Sequence, residues 1–131
     1  MSESIQSIST PAAPLPLGHY EQAVVHENLV YVSGQLPLAP SSETPPAKDI
    51  ETQTKQVLEN LQAVLVAANS DKSRVLKVTL YITNLDEWPA INATYATFFE
   101  DHKPARAAVP VTGLPKQCRI EVEAIAALNP K

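Results

Sequence analysis

One cysteine, three glycines and ten basic residues among 131 positions exclude several kinds of protein at once. Cys118 is alone, so no internal disulfide and no cysteine-cluster metal site can form. The histidines, His19, His26 and His102, are scattered without ligand spacing. Gly18, Gly34 and Gly113 are isolated, which excludes both the dinucleotide-binding glycine motif and the phosphate-cradling loop. Basic residues are outnumbered by 14 acidic ones, giving a net charge of −4. That balance argues against a nucleic-acid partner, because phosphates are held by clustered Lys and Arg. No apolar run approaches the roughly 20 residues needed to span a bilayer. Residues 1–16 are polar and proline-rich, unlike a secretory signal or a basic mitochondrial presequence. The expectation is a cytoplasmic protein with no metal, no cofactor and no membrane contact; a mitochondrial address has no clear presequence behind it.

What is present is enough for one core. Hydrophobic residues make up 44% of the chain, which fits a globular domain rather than a disordered segment. We expect a flexible lead-in over residues 1–17 and a single domain over 18–131. Residues 20–25 and 29–33 are short β-prone runs around His26-Glu27-Asn28, which predicts a hairpin ended by Gly34. Residues 36–48, with Pro37, Pro40, Pro45 and Pro46, read as a loop. Asp49 can cap a helix whose Ile50, Val57, Leu58, Leu61, Leu65 and Ala68 share one stripe, with Asn69 ending it in a left-handed conformation.

Residues 75–85 alternate. Leu76, Val78, Leu80 and Ile82 face one way; Lys77, Thr79, Tyr81 and Thr83 face the other. Asp86 is a second candidate cap, with Pro89 tolerable in the first turn of a helix carrying Trp88, Ile91, Tyr95 and Phe98. A strand around Arg106 follows, and Pro110 predicts an edge or bulge there because proline cannot donate to a ladder. Gly113-Leu114-Pro115-Lys116 is a turn. The last strand, 119–127, sets Ile120, Val122, Ala124 and Ala126 against Glu121 and Glu123. The order ββαβαββ predicts an α+β two-layer sandwich, a mixed sheet with two helices on one face. Tyr81 and Ile125 lie on the less apolar faces of their strands, so a second subunit is expected to cover that side.

Arg106 is the residue most in need of a partner. Its guanidinium is always charged and carries a planar fork of donors that matches a carboxylate. Among Ala and Val that charge is costly unless something anionic meets it. Two readings stand side by side. Arg106 could make a structural ion pair with Glu121, if the last two strands are neighbours. Alternatively, Arg106 clamps a substrate carboxylate beside a Glu121 that activates water. Ser33-Gly34-Gln35 reads either as a strand-ending turn or as a hydroxyl and backbone groups aimed at a ligand. Tyr20 is either packing or a phenol at a pocket. Cys118 and Ser33 both lack a His–Asp partnership to activate them as nucleophiles.

These segments together resemble the RidA/YjgF family of enamine and imine deaminases. The resemblance runs from about Pro16 to Ala126. It rests on Gly18-His19-Tyr20-Glu21-Gln22-Ala23, Leu29-Val30-Tyr31-Val32-Ser33-Gly34-Gln35, Val75-Leu76-Lys77-Val78-Thr79-Leu80-Tyr81, Pro104-Ala105-Arg106, Leu114-Pro115 and Ile120-Glu121-Val122-Glu123-Ala124-Ile125-Ala126. It implies a chorismate-mutase-like fold and a homotrimer with ligand sites in the clefts between subunits. The implied activity is hydrolysis of 2-aminoacrylate, 2-iminobutanoate and similar species to 2-oxo acids and ammonia, with no cofactor. Carried over residue by residue, Arg106 and Glu121 are the catalytic pair, and Tyr20, Ser33 and Gly34 bind substrate beside Arg106. The sequence departs from the family at His19, where proline is usual, at Glu21, where serine is usual, at Ala108, often a cysteine, and at Asn69, usually a glycine. A non-catalytic module that binds small 2-oxo acids in the same cleft is the competing reading. A translation-inhibiting ribonuclease is disfavoured by the acidic balance and by the lack of a basic stripe.

Overall fold

Alternation along strands and helical spacing of apolar residues are resolved into two layers. The computed structural model describes residues 4–42 and 48–131. Strands β1 (Gln6–Ile8), β2 (Ala23–His26) and β3 (Leu29–Gln35) precede helix α1 (Ile50–Ala67). Strand β4 (Val75–Ile82), helix α2 (Trp88–Phe99), strand β5 (Ala105–Pro110) and strand β6 (Ile120–Ala127) follow. The strands form one mixed sheet in the order β1-β2-β3-β6-β4-β5, in which only β4 and β5 run parallel.

Both helices cover the same face of the sheet. From α1, Val57, Leu58, Leu61, Val64 and Leu65 are completely buried, and from the strands Val78, Leu80, Ile82, Ile120 and Val122 meet them. Each such side chain removed from water stabilises the fold by about 1.5–3 kcal/mol before entropy is subtracted. Asp49 caps α1 as expected, its Oδ2 accepting from the Thr52 N–H at 2.9 Å. Asn69 leaves the helix with a left-handed φ of 61°. The hairpin closes through Glu27 and Asn28, with His26 paired to Leu29. Pro110 ends an edge strand, where its missing N–H costs no ladder bond.

Several expectations need correction. The lead-in is not free: Gln6–Ile8 pairs antiparallel with β2, so the order begins with three strands. Buried Gln22 fastens the following residues, accepting from the Thr10 N–H at 2.7 Å and donating to the Pro14 carbonyl at 2.8 Å. Leu76 points outward, half exposed, and Val75 takes its core place, because the β4–β6 register slips between Val75 and Lys77. Asp86 caps nothing. Asn84 accepts from the Asp86 N–H at 3.0 Å and starts a 3-10 turn that runs directly into α2. Gly34 does not end β3; it sits inside the strand at a register shift between Val32 and Gln35. Pro45 and Pro46 of the expected loop lie outside the described residues.

Among the described residues, no helix covers the second face of the sheet. Tyr31 is 40% exposed there, every residue of β5 is exposed, and Tyr81 donates to Glu123 Oε1 at 3.0 Å across the strands.

Candidate functional site in two halves

Four of the five sequence-predicted site residues come together. Tyr20, Ser33, Gly34 and Glu121 line one cavity of about 670 Å³, together with Leu17, Leu36 and Lys116. The β3 bulge builds it. Gly34 has no left-handed φ, so backbone freedom does not demand glycine. Space does: a Cβ there would overlap Glu121 Oε2 and stand 2.9 Å from its Cδ. The Glu121 carboxyl therefore lies directly on the β3 backbone.

The walls are fixed by ordinary hydrogen bonds. Ser33 donates its hydroxyl to the Glu21 carbonyl at 2.6 Å, which keeps its lone pairs available and its proton occupied. The Tyr20 phenol accepts from the Leu17 N–H at 3.0 Å and keeps its own proton to donate. Buried Asn60 on α1 donates to the Leu36 and Leu38 carbonyls, both at 2.9 Å, and so pins the segment after β3. Lys116 and Gln117 both adopt left-handed φ values of 59° in the loop before β6. Such strain in non-glycine residues is found where surrounding structure over-determines it.

Burial, and then the neighbouring Glu123 charge, push the Glu121 pKa above the ordinary carboxylate value. Burial, aided by Glu121, pushes the Cys118 thiol up to about 11, so this buried cysteine carries no thiolate at neutral pH.

Arg106 lies elsewhere. It pairs in register with Val78, a core residue, whereas Glu121 pairs with Tyr81 on the uncovered face. Strand β4 stands between β5 and β6. The last two strands are not neighbours, and the intrachain ion pair of Arg106 with Glu121 does not form. The ion pairs among the described residues join Lys72 to Glu100 and Arg119 to Glu87, and neither includes Arg106. Instead Arg106 Nη1 donates to Asn92 Oδ1 at 2.8 Å, and its guanidinium carbon lies 4.9 Å from the ring centroids of both Trp88 and Tyr95. It opens onto a second cavity of about 380 Å³, with Lys103 and His102 on its wall.

The profile of the endoribonuclease L-PSP family matches residues 10–128. The chain belongs to this family, also known as RidA/YjgF. It is 44% identical to a RutC family protein of Pyrococcus horikoshii, an alignment covering 91% of this chain and 94% of that protein. It is 42% identical to the rat protein named 2-iminobutanoate/2-iminopropanoate deaminase, over 94% of this chain and 90% of the relative. The crystal structure of Escherichia coli TdcF with bound serine superposes with a TM-score of 0.90 at 38% identity, covering 95% of this chain and 99% of that one.

Within this RidA/YjgF domain, two of the departures flank the Tyr20 side of the cavity and the other two lie away from it, Asn69 at the end of α1. His19 and Glu21 are exposed beside Tyr20, and Ala108 is an exposed residue of the edge strand. Sequence reasoning missed the surroundings of Arg106. The signal was there: Trp88, Asn92 and Tyr95 recur at four- and three-residue spacing and so share one face of α2. The packing stripe of Trp88, Ile91, Tyr95 and Phe98 includes two of the three and leaves out Asn92. Asn60 and the left-handed Lys116 left no comparable trace, because both act through loop backbone that sequence spacing does not locate. No group of three or more His, Cys, Asp or Glu able to hold a metal occurs among the described residues.

Proposed function

We propose that the protein is a hydrolytic deaminase of 2-iminopropanoate, 2-iminobutanoate and their enamine tautomers, including 2-aminoacrylate. The observation that carries this reading is that each half of the site supplies what the other lacks. One half offers a guanidinium held without an acidic partner. The other offers a carboxyl with a raised pKa, set against glycine backbone at a cavity. The names of the rat and Escherichia coli relatives support the reaction, and serine in TdcF supports a small amino or imino acid as the ligand class.

The halves serve one substrate if different copies of the chain contribute them. Strands lie about 4.8 Å apart, so β5 and β6 are separated by about 10 Å and present these groups on opposite faces. The uncovered sheet face and exposed β5 are the surfaces such contact would bury, and we infer the homotrimer that the family resemblance implies.

The chemistry needs little else. The substrate carboxylate engages the Arg106 fork, which fixes the C=N carbon in front of a water. Glu121 takes a proton from that water as the C–O bond forms. In the iminium form of the substrate, C=NH2+, the C=N π pair moves to nitrogen and leaves a neutral carbinolamine. Glu121 then returns its proton to nitrogen and takes the proton of the new hydroxyl as the C–N bond breaks, C=O forms and ammonia leaves, carrying that proton away as ammonium. Imine plus water yields 2-oxo acid plus ammonia, with no redox change. Tyr20 and Lys116 line the cavity where the developing charge lies.

A coupled assay tests this directly. A serine/threonine dehydratase generates the imine in situ, and 2-oxo acid release is followed with wild type and Arg106→Ala. Acceleration by wild type, reduced about 100-fold or more in kcat/KM by the substitution, is expected. Gel filtration should give about three times the 14.2 kDa chain mass for both. A folded trimer that binds 2-oxobutanoate without accelerating release would make this a carboxylate-binding module instead.

A further inference from the structure

Arg106 is an exposed residue of an edge strand, a setting in which an arginine ordinarily samples many rotamers. Here it does not hang free. Trp88, Asn92 and Tyr95 of α2 present one face to it: two rings with centroids 4.9 Å from the guanidinium carbon, and an amide oxygen 2.8 Å from Nη1.

The choice of partners matters chemically. An Asp or Glu at any of these positions would hold the arginine strongly, but it would neutralise the charge and compete with a substrate carboxylate. Ring faces attract a cation through their quadrupole and consume none of its N–H donors. The Asn92 amide consumes one of five. The guanidinium is thereby oriented while its charge and most of its fork remain unspent.

We propose that Trp88 and Tyr95 are positioning residues, an uncharged aromatic cradle that presents the Arg106 fork to the substrate carboxylate. The proposal deepens the deaminase reading and rests on it for the identity of the substrate. Tyr95 sharpens it. Its hydroxyl is buried and has no hydrogen-bond partner among the described residues, so the ring, not the phenol, is what the cradle uses.

The test compares Trp88→Leu with Trp88→Phe, and Tyr95→Leu with Tyr95→Phe, each checked for folding by far-UV circular dichroism. Two readouts are taken: KM and kcat in the coupled assay, and affinity for 2-oxobutanoate by calorimetry. The Leu variants are expected to raise KM and weaken 2-oxobutanoate by roughly tenfold, the worth of a partly desolvated cation–π contact, with kcat changed less. The Phe variants are expected to recover most of the loss. Trp88 is the sole tryptophan, so 2-oxobutanoate should also perturb the emission of wild type and leave that of Arg106→Ala unchanged.

Folded Trp88→Leu protein with KM and affinity within about twofold of wild type would overturn the proposal, since a cation–π contact is worth more than that. So would Phe variants as weak as the Leu variants. Wild type that binds 2-oxobutanoate without deaminating would sink the deaminase reading alone, and the binding arm would still decide the cradle. Wild type that neither deaminates nor binds 2-oxobutanoate would overturn both.

Discussion

Arg106 sits on an edge strand and owes its place to three side chains of α2, whereas Glu121 sits on an inner strand and owes its place to a bulge and a glycine in β3. The first half is held by side chains at helical spacing. It should tolerate exchange of one aromatic ring for another, because the contact is broad and soft. The second half is held by backbone. It should tolerate almost nothing, because a single methyl group at position 34 meets the carboxylate. The electrostatics differ in the same way. Arg106 keeps its charge among neutral partners, while Glu121 is disfavoured as an anion by burial and by Glu123. On the proposed reading, the first half holds an anion and the second exchanges a proton.

The sharpest break in this comparison is Glu121→Gln. It should lower kcat by about 100-fold while changing 2-oxobutanoate affinity little, since a general base typically contributes 10²–10⁴-fold to the chemical step. Its effect on stability should run the other way. The folded-state pKa of Glu121 is raised, so folding favours the protonated form, and stability is lost as pH rises through that raised value. A glutamine is neutral throughout, so the variant should melt higher than wild type at neutral pH. Lower activity with a lower melting temperature would mean the carboxylate is structural.

Gly34→Ala comes next. The added methyl must displace Glu121 or the bulge, at about 1–3 kcal/mol for forced overpacking. Urea denaturation should show the loss, and kcat should fall with it. Retained stability and activity would show that the close approach is dispensable.

Glu123→Gln probes the same half more gently. It removes the second cause of the raised Glu121 pKa and leaves an acceptor for the Tyr81 hydroxyl. The acid limb of the kcat/KM profile should move to lower pH, because Glu121 then ionises earlier. An unmoved limb would assign it to another group.

The smallest effect belongs to a site remote from both halves. Asp49→Ala removes the α1 cap and should cost about 1 kcal/mol in urea unfolding with activity unchanged.

The helix-covered layer was legible from residue pattern alone. Alternation in β6, the stripe of α1, Asp49, Asn69 and the edge position implied by Pro110 all follow from local rules, and the local rules agree with the packing. The failures have one physical cause, which is that pairing between strands is not written in either strand. An unbroken period of two puts Leu76 in the core, and a slip against β6 exchanges it for Val75. A bulge looks like a turn in sequence, so Gly34 resembles a terminator. Nothing local marks Thr10 as tied, because the buried Gln22 side chain that holds it lies 12 residues away. The separation of Arg106 from Glu121 depends on β4 lying between their strands, a matter of sheet order. The proposed inter-subunit arrangement rests on the family resemblance, because spacing within one chain does not carry it.

That arrangement is the central claim, and subunit mixing tests it most directly. Arg106→Ala and Glu121→Gln chains, each inactive alone, are unfolded together and refolded as mixed assemblies. If different copies supply the two groups, random mixing at equal amounts should restore roughly a quarter of wild-type activity, the fraction of clefts that receive both intact residues. If the mixture stays as inactive as its components, while wild type refolded in the same way regains full activity, the two halves do not meet between chains and the account fails.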